Sequence, residues 1–139
     1  MRQVAEAFTC CLLIVMCLGC GRMDGPERVP VSGEVQYAGE PVRDGRIRFV
    51  PIAPDVGPVS ISFVKDGRFT TAEFGGVPVG RHRVEILAYD TTDLATRDSG
   101  FGQPPPPQLL PPKYNKQSEL TLEIVSGSEA LVHDFILEQ

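Results

Sequence analysis

The residues of this chain best suited to chemistry are two histidines, His82 and His133, the acids near them, and four arginines, Arg46, Arg48, Arg81 and Arg83. His82-Arg83-Val84-Glu85 sets an imidazole three positions ahead of a carboxylate, a pair that ligates zinc when both side chains reach one ion. The flanking residues alternate as in a strand, and on a strand positions i and i+3 face opposite sides, so the pair is not expected to chelate. Only His133 supplies a second imidazole, and no G-x-S-x-G elbow is present. The expectation is therefore no metal, no cofactor and no catalysis, with His82 ending a strand near a loop rim. The arginines lead elsewhere. Arg46 and Arg48 share one outward parity, and so do Arg81 and Arg83; if their strands pair, they form a basic stripe able to hold an anionic glycan or lipid headgroup. The plainer reading is a solvated face neutralised by Glu34 and Glu85.

All four cysteines (Cys10, Cys11, Cys17, Cys20) fall in the first twenty residues, around an apolar run from Phe8 to Leu18 that follows Arg2. A charged start, an apolar segment short for a bilayer, and small residues before a cysteine read as a cleaved export signal. Leu18-Gly19-Cys20 resembles a bacterial lipoprotein signal, with Cys17 standing where an aliphatic residue is usual. Residues 1–19 are then a signal peptide, and Cys20 is the lipidated first residue of an exported protein anchored to a cell-envelope membrane and facing outside the cytoplasm. Three cysteines leave with the signal, so no disulfide framework is expected in the remainder.

Removing residues 1–19 takes one base and one acid, leaving twelve bases against seventeen acids and the net charge at −5. An acidic chain without a basic tail is not expected to bind nucleic acid. Gly21 to Arg28 is polar and carries two glycines and a proline, which reads as a flexible tether over residues 20–28 with a mean reach of roughly 15 Å. The domain behind it, residues 29–139, is expected to ride near the membrane and to contact an envelope protein or polysaccharide.

The elements that would position these residues follow a two-residue period. Val29, Val31, Gly33, Val35 and Tyr37 share one parity; Ile47 and Phe49 alternate with Arg46 and Arg48; Val59, Ile61 and Phe63 continue the inward apolar series to Asp66-Gly67. Asp66-Gly67 tolerates positive φ at both central positions and predicts a tight hairpin into Arg68-Phe69-Thr70-Thr71. Arg81 to Tyr89 reads as a strand with Val84, Ile86 and Ala88 inward; Leu120, Leu122 and Ile124 form another, and Leu131 to Leu137 closes the chain. Residues 90–117 contain Pro104 to Pro107, Pro111 and Pro112 and break the period. Phe101 and Tyr114 in this loop are candidates for a ligand surface. The structural alternative folds Leu109, Leu110 and Tyr114 back over an open end of the core. Seven short strands without an amphipathic helix predict an all-β sandwich.

Val31-Ser32-Gly33-Glu34-Val35, Gly39-Glu40-Pro41-Val42, Gly45-Arg46-Ile47-Arg48-Phe49, Asp66-Gly67-Arg68-Phe69 and Val79-Gly80-Arg81-His82-Arg83-Val84 together resemble the carboxypeptidase regulatory-like, or transthyretin-like, domain. Residues 110–120, Leu-Pro-Pro-Lys-Tyr-Asn-Lys-Gln-Ser-Glu-Leu, resemble a segment of small bacterial envelope lipoproteins that carry this domain alone. The resemblance implies a seven-stranded Greek-key, prealbumin-like sandwich serving as a non-catalytic accessory or adhesion module. The related hydrolase of ureide metabolism needs a C-terminal Tyr-Arg-Gly-Ser, whereas this chain ends Ile136-Leu137-Glu138-Gln139.

Overall fold

The computed structural model describes residues 25–54, 56–90 and 106–139. Cys20, Phe101 and the expected signal peptide lie outside the described residues. Pro30 offers no N–H to a ladder, and the first apolar run is accordingly split there into β1 (Arg28–Val29) and β2 (Val31–Tyr37). The chain continues through β3 (Glu40–Pro41), β4 (Asp44–Pro51), β5 (Ser60–Lys65), β6 (Arg68–Thr70), β7 (Val77–Pro78) and β8 (Gly80–Ala88). It ends in β9 (Thr121–Ile124), β10 (Leu131–Val132) and β11 (Phe135–Leu137). Single turns of 3-10 helix at Ala72–Phe74 and Pro112–Tyr114 are the helical elements among the described residues.

The result is all-β, a curled sheet closing into a sandwich. Neighbours run β10-β2-β6-β5-β4-β8-β9, with β3 and β11 also on β2 and a separate β1–β7 pair. One layer is β5-β4-β8-β9. The other is β2 with β3, β6, β10 and β11, and the sheet turns over where β5 and β6 share only the Lys65–Arg68 pair. Two-residue turns close both tight hairpins with positive φ, Ala38 (53°) and Gly39 (84°), then Asp66 (47°) and Gly67 (79°). Phe69 bridges the layers, its ring centroid 6.2 Å from Phe49 and 6.0 Å from Phe135. Val31, Val35, Ile47, Val64, Val84, Ile86, Ile124 and Leu137 fill the space around it.

Among the described residues eleven short strand segments stand where seven strands are expected, because some of the expected strands are interrupted. Besides the break at Pro30, the last strand is interrupted at His133-Asp134, and both of its halves run parallel to β2. The parity of β5 is the reverse of the expectation. Ser60, Ser62 and Val64 point inward, while Val59, Ile61 and Phe63 are 40, 40 and 51% exposed. The hairpin turn decides this, because a two-residue loop pairing Lys65 with Arg68 puts Val64 on the face of buried Phe69. The inward serines are satisfied: Ser62 Oγ donates to the Thr70 carbonyl (2.5 Å) and Ser60 Oγ to that of Gly76 (3.1 Å).

The described end of the Pro-rich loop caps the core. Leu110 is buried, Asn115 Nδ2 donates to the carbonyls of Leu110 and Pro111 (both 3.2 Å), and Ser118 Oγ donates to that of Val84 (2.5 Å). Leu109, expected to share the cap, is exposed instead, since it hydrogen-bonds to the Ala88 carbonyl as the next residue turns inward. At the other end of the domain the Glu27 carboxylate accepts from Ser126 Oγ (2.5 Å) and the Gly127 N–H (2.7 Å). Those bonds, the Gly127 N–H first, hold its carboxyl below the usual glutamate range.

Candidate binding face

β4 and β8 pair antiparallel with Arg46 opposite Leu87, Arg48 opposite Glu85, and Val50 opposite Arg83, so Arg46, Arg48, Arg83 and Arg81 follow one another in a row along the strand pair, with Arg48 and Arg83 near each other and Arg46 and Arg81 at opposite ends. All four side chains stand on the outer face of the layer. Glu85 lies almost buried between two of them, accepting from Arg48 Nη1 at 2.7 Å and Arg83 Nη2 at 2.6 Å. One carboxylate therefore balances one of these two cations, and a positive charge remains. Arg81 sits opposite Glu123 on β9, and Glu34, expected to neutralise the stripe, pairs with Arg68 (3.6 Å). Arg46 lies over the Phe63 ring, 5.9 Å from its centroid.

The reversed parity of β5 adds an apolar row beside the arginines. Arg46 pairs with Phe63 and Arg48 with Ile61, and the Phe63 ring meets Phe74 edge-on at 5.9 Å. Phe74 is itself 49% exposed. Phe63, Phe74, Lys65, Arg68 and Glu73 line a shallow hollow of about 340 Å³. The alternation read alone places Ile61 and Phe63 inward; counting register outward from Asp66-Gly67 puts them on the surface, while Phe74, in a 3-10 turn, is placed only by the fold.

His82 is not at a rim. It shares the inward parity of Val84 and Ile86, is fully buried, and donates from Nδ1 to the Gly80 carbonyl (3.1 Å), while Nε2 has no partner among the described residues. Burial, more than any nearby charge, lowers its pKa, with Arg28 adding to the effect and Glu123 opposing it. Glu85 faces the other way, so the H-x-x-E pair is divided by the sheet. His133 stacks edge-on against Phe135 at 4.8 Å. Among the described residues no group of three His, Cys, Asp or Glu side chains is arranged to hold a metal, and no helix is long and apolar enough to cross a membrane.

Tyr114 is engaged within the fold. Its hydroxyl donates to the Glu138 carbonyl (2.9 Å) and accepts from the Glu138 N–H (2.8 Å), and its ring meets Tyr37 edge-on at 6.5 Å. It pins the end of the chain to the capping loop. Comparison with protein-family models, with curated proteins and with solved structures yields no match.

Proposed function

We propose that this is an exported lipoprotein, anchored through lipid on Cys20 to a cell-envelope membrane, whose prealbumin-like sandwich acts there as a non-catalytic binding or structural module. The observation that carries the binding role is the outer face of β4, β5 and β8. The hairpin register turns positions 61 and 63 outward, but nothing in the core requires the side chains there to be apolar, and apolar residues beside cations suit a ligand with both anionic and apolar or sugar surfaces. An envelope protein or an acidic polysaccharide meets that description. The export signal and the Cys20 motif support the location, and several acyl chains on one cysteine would hold the protein far more firmly than one.

Two measurements test the reading. Intact mass of the native protein should show a chain starting at Cys20 with acyl chains attached; an unmodified chain starting elsewhere refutes the anchor. Arg46→Ala with Arg81→Ala leaves Glu85 both of its partners, and should lower retention of the full chain on isolated envelope polysaccharide. Retention equal to wild type refutes the arginine face as a glycan site.

A further inference from the structure

We propose that Val59, Ile61, Phe63 and Phe74 are the surface on which the domain rests against the membrane that holds Cys20, with Arg46, Lys65 and Arg68 meeting the headgroups around them. The inference rests on the lipid anchor proposed above and assigns a partner to the apolar part of the same face.

The place where the tether joins the fold carries the argument. Arg28 donates from Nε to the Gly75 carbonyl (3.0 Å), and from Nη2 to the Gly76 carbonyl (3.1 Å) and Ser60 Oγ (2.9 Å). Gly75 directly follows Phe74, and Ser60 lies between Val59 and Ile61. Arg28 thus bonds the sequence neighbours of three members of the patch, reaching Ser60 from the inner side of β5, while the residue before it, Glu27, is held by Ser126 and Gly127. Arg28 is eight residue steps from Cys20, so even fully extended the link spans at most about 28 Å. A lipid held at Cys20 keeps the bilayer surface within reach of Phe74.

The chemistry of the patch suits an interface of headgroups and acyl chains. Phe63 and Phe74 present half their surfaces side by side, the size and shape of side chain that settles at the boundary between headgroup and hydrocarbon. The charges around them nearly cancel: Lys65 is paired with Asp44 and Arg68 with Glu34, Glu73 adds an acid, and Arg46 over Phe63 adds a base. On a chain of net charge −5, a face without net repulsion is where an anionic surface can approach. Apolar contact is the main attraction, and the cations orient the domain.

The chain contains no tryptophan, so single substitutions F63W, F74W and I136W each introduce one unambiguous fluorophore at an exposed position. Ile136 points outward from the opposite layer and serves as the reference. The native lipidated full-length chains are reconstituted into phosphatidylcholine and phosphatidylglycerol vesicles with brominated acyl chains. F63W and F74W should show blue-shifted emission, quenched at least about three-fold more than I136W. Equal quenching at all three positions, with the protein still floating with the vesicles, overturns the docking and leaves the anchor standing. Failure to float, matched by a C20S chain, overturns the anchor and the docking with it. A blue shift that appears only when envelope polysaccharide is added assigns the patch to a glycan and overturns the membrane contact.

Discussion

Gly33→Ala is the substitution for which the fold sets the sharpest expectation. Gly33 lies in β2 opposite Phe69, and on its other side the chain crosses from β10 to β11 at His133-Asp134. A Cβ on Gly33 would stand 1.9 Å from the His133 carbonyl oxygen, 2.7 Å from its carbon and 3.0 Å from Asp134 Oδ1. The closest approach is about 1.5 Å short of ordinary contact at 3.4 Å, and the obstacle is backbone, so no rotamer relieves it. The crossing must move away. That displacement strains two bonds, His133 N–H to the Ser32 carbonyl (2.9 Å) and Glu34 N–H to Asp134 Oδ1 (2.8 Å). It also disturbs the seating of buried Phe135. Overpacking costs about 1–3 kcal/mol and each of the two weakened hydrogen bonds about 0.5–1.5 kcal/mol, so the loss should be about 2–6 kcal/mol. Against roughly 5–15 kcal/mol for a domain of this size, that is a large fraction. In a thermal melt followed by far-UV circular dichroism, Tm should fall by roughly 8–24 °C. Gly39→Ala is the matched control, at φ 84° with open space around it, and should cost only about 1–2 kcal/mol of left-handed strain. A Gly33→Ala chain whose Tm falls no further than that of Gly39→Ala refutes the close crossing.

Two further outcomes follow from the buried polar groups. Because burial lowers the pKa of His82 in the fold, the unfolded chain takes up a proton first; this part of the stability is present above about pH 6.5 and is lost as pH falls below it. Urea midpoints for the native chain should therefore drop between about pH 7.5 and pH 5 more steeply than those of His82→Leu, which also removes the unpartnered Nε2; parallel curves would contradict the assignment. Glu85→Gln should destabilise by about 1–2 kcal/mol at low salt, the upper range being discounted because Arg48 and Arg83 are partly solvated, and the deficit should shrink as salt is raised. A deficit independent of salt would mean that packing, and not charge, holds Glu85 in place.

How much of this was legible beforehand depended on whether one face of a strand was forced. In β2 and β4 the alternation was decisive: Val31, Val35, Ile47 and Phe49 are all inward, and no polar residue competes for those positions. The shared outward facing of the four arginines was legible from parity, whereas the pairing of β4 with β8 that lines them up is a long-range contact that parity does not specify. His82 was misplaced because an imidazole reads as a rim residue, yet its parity with Val84 and Ile86 already put it inside the sheet. Residues 131–137 read as one strand, since nothing local announces that His133-Asp134 crosses against Gly33. That contact joins positions a hundred residues apart, and only the missing Cβ marks it.

β5 shows why local hydrophobicity can mislead when a turn sets register. Val59, Ile61 and Phe63 outweigh Ser60, Ser62 and Val64 in apolar surface, so the strand considered alone belongs the other way round. Its neighbour does not permit that. Asp66-Gly67 makes a two-residue turn, which puts residues 64 and 69 on one face and 63 and 70 on the other, and Phe69 is the side chain that joins the two layers. Turning Phe63 inward would expel Phe69 and separate Phe49 from Phe135, while the two serines find carbonyl partners inside at little loss. The outward Ile61 and Phe63 are thus a consequence of closing the sandwich through Phe69. The same choice leaves an apolar row beside Arg46 and Arg48 on the outer face.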